Sequence, residues 1–207
     1  ATLHDGRQVA CKLQYPDMQS AVEADLGQLG LILRLQRRFN PEIDTTEIAK
    51  ELTERLREEL DYKREAAHAN LYRLMLADES LVRIPEILPD LSTKRLLTMT
   101  WLDGKRLLGF VDHGLEERNL IAKAMFRAWW FPFAHYGVIH GDPHLGNYTV
   151  FEEGGQPAGI NLLDFGCVRI FPPSFVGGVV ELYQGLKTGD RDRIVEAYRG
   201  WGVKGLT

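Results

Sequence analysis

The sequence predicts an α+β protein with two lobes, on three observations. The chain opens with a hairpin-and-strand pattern, continues through long stretches of helical apolar spacing, and then returns to short strands followed mostly by helices. Its 207 residues suit one domain or a domain with two lobes. A hydrophobic fraction of 44% supports a substantial core, and 26% charged residues argue against disorder.

Each element has a local cause. In "TLHDGRQVACKLQY", Asp5-Gly6 is a turn signal, and alternation through Val9, Cys11 and Leu13 marks a strand with Lys12 on its opposite face. From Asp17 to about Phe39 the residues Val22, Leu26, Leu29 and Leu33 keep helical spacing, and Asn40-Pro41 stops that helix. Thr45 or Thr46 then caps a second helix with Ile48, Leu52, Leu56 and Leu60 four apart. Helical character continues through Ala66, Ala67, Asn70, Leu71 and Leu74. "VRIPEIL" and "KRLLTMTWLDG" read as strands. The stretch from Leu115 to Gly137 reads as an aromatic-rich helix disturbed at Pro132 and closed by Gly137. "YTVFEEGGQPAGINLLDFG" places a turn containing Gly and Pro between two strands. The tail reads as two helices, the second capped by Asp190.

Charge and cysteine usage narrow the function. Lys plus Arg number 25 against 29 Asp plus Glu, a net charge of −4. With no basic stripe interleaved with aromatics, this excludes a general nucleic-acid binder. The densest basic run, "RLQRRF" (Arg34 to Phe39), reads as the solvated end of a helix. Cys11 and Cys167 lie far apart without metal-ligand spacing, which points to a reducing compartment rather than a disulfide framework. The sequence contains no signal peptide and no long apolar segment. Its opening reads as the middle of a hairpin, and so as part of a longer protein.

The chemistry concentrates in "VIHGDPHLGNYTV", where Asp142 and Asn147 stand five apart between two apolar runs. Further on, Asp164-Phe165-Gly166 ends the apolar strand "INLL", and Lys12 ends "VACK". The ordered set matches the catalytic loop, metal-binding turn and strand lysine of phosphoryl-transfer enzymes of the protein-kinase type. The reaction needs these residue types. A carboxylate (Asp142) meets the incoming hydroxyl, an amide oxygen (Asn147) and a second carboxylate (Asp164) hold Mg²⁺, and a lysine (Lys12) clamps the phosphates. Two plainer readings compete. His140-x-Asp142-x-His144 has the spacing of a metal site on an extended strand, but no further His or Cys cluster supports zinc. A surface turn explains Asp142-Pro143 and Gly146-Asn147, but leaves the lysine and Asp164-Phe165-Gly166 without a role. His140 itself reads as a structural hydrogen-bonding residue.

Together "HGDPHLGN", "LLDFG", "VACKLQYPD" and "EELDYKREAAHAN" resemble the UbiB-type atypical kinase family, also called AarF or ADCK, from about Arg7 to beyond Gly166. The resemblance implies a two-lobed protein-kinase-like fold. Residues 1–103 would form a partial N-lobe with a family-specific helical insertion. Residues 104–207 would form a mainly helical C-lobe carrying the catalytic loop and ending before the lobe is complete. The family's N-terminal helix and nucleotide-covering loop would precede Ala1. Glu65 resembles the helix glutamate that pairs with the strand lysine, and Glu59 and Asp61 resemble the acidic pair that meets the N-terminal helix. On a continuous helix Asp61 and Glu65 share a face and Glu59 is rotated away; a solvated charged face among Arg55, Arg57 and Arg64 is the competing reading. Residues Met99, Trp101 and Leu102 would form the connection where adenine bonds to backbone. Trp129, Trp130 and Phe131 read as helical-lobe core, and Cys167 as a buried thiol.

The resemblance implies an atypical kinase or ATPase that uses ATP and Mg²⁺ in support of ubiquinone (coenzyme Q) biosynthesis. It would act by ATP hydrolysis or by phosphoryl transfer to a small or lipid-like acceptor. Implied partners are a nucleotide, a quinone-precursor or lipid ligand, and quinone-biosynthesis proteins. The implied location is the bacterial cytoplasm or organelle matrix, free or membrane-associated. Gly141 stands where many protein kinases carry Arg, and the link from Gly166 to Pro172 has no A-P-E segment, so conventional protein-kinase activity is not expected. Two alternatives remain: a small-molecule kinase of the aminoglycoside or choline type, which phosphorylation of a soluble alcohol without lipid would reveal, and a non-catalytic nucleotide-dependent scaffold.

Overall fold

The computed structural model describes residues 1–39 and 45–205. The expected helix stop at Asn40-Pro41 lies outside the described residues. The first part of the chain runs β1 (Val9–Leu13), α1 (Met18–Phe39), α2 (Thr46–Glu58), α3 (Tyr62–Met75), β2 (Val82–Arg83) and β3 (Leu96–Thr100). The second runs β4 (Lys105–Arg106), α4 (Leu115–Tyr136), β5 (Val138–His140), β6 (Tyr148–Glu153), β7 (Gln156–Leu162), β8 (Val168–Ile170), α5 (Pro173–Thr188) and α6 (Arg191–Gly200). The architecture is the α+β one the sequence predicts.

Among the described residues three small sheets organise the strands. β1 pairs antiparallel with β3, with Lys12 opposite Leu97 and Ala10 opposite Met99. A four-stranded sheet has the order β2-β7-β6-β4, and β5 pairs antiparallel with β8. β2 runs parallel to β7, so a strand from the first half of the chain is built into a sheet of the second half. One core joins the parts, from Leu97 and Met99 through Tyr72 and Phe165 to Val150, Ile160 and Leu162.

Several elements form for the reasons the sequence gives. The Asp5-Gly6 turn forms with Gly6 at φ 87, although a single Thr2–Gln8 bridge is all that follows it before β1. Gly137 closes α4 in the left-handed conformation, its N–H reaching the Phe133 carbonyl at 2.9 Å. Asp190 caps α6 by accepting from the Arg193 N–H. Arg34 and Arg38 are exposed at the end of α1, in keeping with a solvated basic terminus.

Other expectations need correction. The alternation in β1 buries only Val9; Cys11 and Leu13 are exposed, because β1 pairs with one strand and its Ala10–Lys12 side is the one turned toward α3. Thr45 holds the cap position of α2 without a capping side-chain bond, and no α2 residue is buried, leaving Ile48, Leu52 and Leu56 exposed. α4 continues through Pro132, whose ring is fully buried in the core. The buried face of α4 consists of Ile121, Ala124, Ala128, Pro132 and Phe133, whereas Trp129 is 38% exposed and Trp130 and Phe131 are only partly covered. Small residues allow the helix to approach β7 closely, which pushes the indoles to the flanks. The turn between β6 and β7 is Gly154-Gly155, with φ of 61 and 81, and Pro157 belongs to the strand beyond it.

Candidate active site

β1 and α3 meet at an ion pair. The Lys12 Nζ donates to Glu65 Oε1 and Oε2, both at 2.9 Å, and to Asp164 Oδ2 at 3.1 Å. The three residues come from positions 12, 65 and 164, so the fold brings together what the sequence separates most. Glu65 is 3% exposed, while Lys12 and Asp164 are 35% and 37% exposed. The carboxylate that holds the lysine is therefore buried, while Lys12 and Asp164 remain partly in contact with solvent. The Tyr62 ring lies 5.5 Å from Nζ and adds a cation–π contact that sequence reading missed. Its position three residues before Glu65, on the same helical face, was the available signal.

The electrostatics follow from this burial. Desolvation pushes the Glu65 carboxyl above its ordinary value, and the Lys12 ammonium only partly opposes it. Burial pulls Lys12 down, but the two carboxylates outweigh it and hold the ammonium above its ordinary value. Burial likewise raises Asp164, yet the Gly166 N–H and Lys12 outweigh it and keep the carboxyl low. At neutral pH Lys12 and Asp164 are thus both charged.

Asp164 is fixed by the turn that bears it. Its Oδ1 accepts the Gly166 N–H at 2.9 Å, and its backbone carbonyl meets His140 Nε2 at 2.5 Å. His140 is 2% exposed, so it serves as the structural residue the sequence implied. The histidine metal-site reading gains no support from these bonds, which commit one ring nitrogen of each histidine to the backbone. His140 Nε2 is engaged with that carbonyl, and His144 Nδ1 accepts the Gly146 N–H at 3.1 Å. Among the described residues no cluster of three or more His, Cys, Asp or Glu is placed to hold a metal.

Asp142 and Asn147, five apart in one loop, are bonded to each other. Asn147 Nδ2 donates to Asp142 Oδ2 at 2.8 Å and to the Asp142 carbonyl at 3.3 Å. The Asn147 carbonyl accepts the Leu163 N–H at 3.0 Å, which ties the loop to the segment between β7 and Asp164. Asp142 Oδ1 accepts the His144 N–H at 3.2 Å. The apolar flanks are β5 and β6, and they hold the loop from both sides.

Gly141 has a clear physical reason. Its N–H donates to the Cys167 carbonyl at 2.6 Å, and an added Cβ would lie 2.5 Å from that oxygen. No side chain fits there, so the arginine common at this position in protein kinases is sterically excluded. Cys167 itself is half-buried rather than fully buried.

The acidic pair is arranged differently from the helical reading. α2 ends at Glu58 and α3 begins at Tyr62, with Asp61 as N-cap accepting from the Lys63 and Arg64 N–H groups. A turn separates Glu59 from α3, so helical face arithmetic does not apply across it. Both Glu59 and Asp61 are exposed. Of the three residues expected at the connection, Met99 is buried in β3, Trp101 is 51% exposed with its backbone N–H on the Gln8 carbonyl and its indole N–H on Asp103 Oδ1, and Leu102 is half-buried.

Residues 1–198 match the model of the ABC1 atypical kinase-like domain. The chain belongs to the ABC1 (UbiB/AarF/ADCK) family. This ABC1 chain is 30% identical over 198 residues to AarF domain-containing protein kinase 1 of Xenopus laevis, covering 94% of this chain and 38% of that protein. It is 31% identical over 179 residues to the mitochondrial atypical kinase COQ8 of Saccharomyces cerevisiae, covering 85% and 34%. It also matches a solved structure, Rv3197 with erythromycin from Mycobacterium tuberculosis, with a TM-score of 0.80 at 26% identity over 100% of this chain and 52% of that one. The fold is thus the protein-kinase-like one of the ABC1 family. The chain spans 38% and 34% of the length of those two curated relatives. No helix among the described residues is long and apolar enough to cross a membrane.

Proposed function

We propose that this ABC1 chain forms the catalytic core of an atypical kinase or ATPase that uses ATP and Mg²⁺ in support of ubiquinone biosynthesis. The observation that carries the reading is the convergence of Lys12, Glu65 and Asp164 beside the Asp142–Asn147 pair. Glu65 and Asp164 fix the Lys12 ammonium, which remains partly exposed and would hold nucleotide phosphates. Asp142 would accept the proton of an incoming hydroxyl or water, with Asn147 Nδ2 fixing its carboxylate. The Asn147 amide retains its carbonyl oxygen as an acceptor, and with the Asp164 carboxylate it offers hard oxygen donors that suit Mg²⁺. A bound Mg²⁺ would neutralise charge on the phosphates; it takes most of its remaining ligands from phosphate and water, so an all-protein cage is not required.

The acceptor is proposed to be water or a small or lipid-like molecule. The link from Gly166 leads through β8 directly into α5 at Pro173, which leaves little chain for a peptide-binding platform. A quinone precursor and other quinone-biosynthesis proteins are the proposed partners, in a reducing compartment of the cytoplasm or an organelle matrix. Names of relatives such as the mitochondrial COQ8 kinase support this reading at family level.

The test uses the intact protein with ATP, Mg²⁺ and quinone-precursor-like lipids, comparing wild type with Asp164→Asn. Loss of Mg²⁺-dependent nucleotide binding and ATP consumption in the variant is expected; equal activity in both would refute the assignment of Asp164. Growth on a respiratory carbon source with the same substitution tests the quinone link separately. Phosphorylation of a soluble alcohol without lipid would instead establish a small-molecule kinase.

A further inference from the structure

Three arginines from three elements converge on one carboxylate outside the site described above. Glu58, the last residue of α2, accepts from Arg55 Nη1 at 2.6 Å and from Arg169 Nη1 at 3.3 Å through Oε2, and pairs with Arg64 through Oε1. Arg55 lies on α2, Arg64 in the first turn of α3, and Arg169 on β8. Arg55 also meets the exposed Glu51, whereas Glu58 itself is half-buried, with its side chain 23% exposed.

Two of these arginines lie close in sequence to the active centre. Arg64 immediately precedes Glu65, the residue that holds Lys12. Arg169 is five residues beyond Asp164 on β8, the strand paired with β5, from which the Asp142 loop departs. The Gly141–Cys167 bond lies at the same junction, and Arg169 Nη2 reaches Cys167 Sγ at 3.6 Å. Glu58 is therefore an anion shared by a residue next to Glu65 and a residue of β8, the strand paired with β5.

We infer that Glu58 is a positioning residue: a fixed anion that locks α3 to β8 and so holds the Lys12–Glu65 pair against the Asp142 loop. The chemistry is that by which an anionic group among arginines orders a segment, with the anion here supplied permanently by the chain. A lone exposed ion pair contributes little, but a network of several partly buried charges couples its members. Without the carboxylate, three guanidiniums face each other, and α3 and β8 lose their common partner. The consequence for nucleotide rests on the function proposed above; the lock itself does not.

Two readouts on the intact protein test this. Hydrogen exchange without nucleotide reports the lock at residues 62–66 and 168–170, and calorimetric titration with Mg²⁺ and an unhydrolysable ATP analogue reports the clamp. Glu58→Gln, which keeps the shape and removes the charge, is expected to speed exchange in both segments and weaken nucleotide binding, each about tenfold. Glu58→Asp should retain part of both, and acetate should restore Glu58→Ala where chloride at equal ionic strength does not. Wild-type exchange in Glu58→Gln, or equal effects of acetate and chloride, overturns the inference. If wild type binds no nucleotide, the kinase reading fails, and the exchange and acetate results alone decide the lock.

Discussion

Replacing Lys12 by Met separates the electrostatics of the site from its packing. The substitution keeps most of the side-chain volume but strips both Glu65 oxygens of the ammonium 2.9 Å away. Removing one partner of a buried ion pair costs about 3–5 kcal/mol, because a charge remains buried without its counterion. Lys12 is 35% exposed, so water reaches that end of the pair, and the lower bound of about 3 kcal/mol is expected at pH 8. Glu65 can then relieve the cost by taking up a proton. Its carboxyl is already raised above 4.5 by burial, so the folded protein binds more protons than the unfolded chain above that pH. Stability is accordingly gained as pH falls through the folded value. Lys12, held above 10.5, contributes fully below that pH and loses its contribution only as pH rises through its folded value. Asp164, held below 3.8, contributes above that pH and stays ionised near neutrality. Histidines such as His68, held below its ordinary value by burial, titrate in wild type and variant alike, so a change in the Lys12→Met penalty between pH 8 and 6 belongs to Glu65. Each pH unit is worth at most about 1.4 kcal/mol, so the destabilisation by Lys12→Met should shrink by about 1–2 kcal/mol over that range. Urea unfolding followed by tryptophan fluorescence measures it, and adding Glu65→Gln should recover most of the loss. A penalty that is the same at both pH values and unaffected by Glu65→Gln would refute a buried ion pair.

Two further substitutions probe the frame around the site. Gly141→Ala places a Cβ against the Cys167 carbonyl and should destabilise the protein by about 1–3 kcal/mol. Faster exchange of the Gly141 amide would report displacement of the catalytic loop, and Gly141→Arg should be worse rather than activating. Asn161 is fully buried and donates to the Asp103 carbonyl and Thr149 Oγ1, both at 2.9 Å. Asn161→Ala leaves those acceptors without their donor and should lower stability by about 1–3 kcal/mol in urea unfolding. The same variant should increase exchange in the connection around residues 101–104.

The sequence alone determined the reactive residue types and most elements, because both rest on short-range regularities. The five-residue spacing of Asp142 and Asn147 is closed by a bond within one loop. Turn and cap residues such as Gly137 and Asp190 act on their own neighbours. Apolar spacing located α1 and α3 for the same reason. What failed was inference about faces and burial. The stripe Ile48, Leu52 and Leu56 is as regular as any in the chain, yet it is exposed, since periodicity marks a face without saying what covers it. In the aromatic run at 129–131 Phe131 packs against the core, whereas the indoles flank the positions that Ala124 and Ala128 occupy, because close helix packing favours small side chains. The family resemblance already implied the Lys12–Glu65 pair; only the tertiary structure decided that Glu65 is buried, that Asp164 bonds to the same ammonium, and that Glu58 gathers Arg55, Arg64 and Arg169. Those contacts link positions up to 152 apart, across which no local pattern acts, and their strength depends on the burial that folding creates.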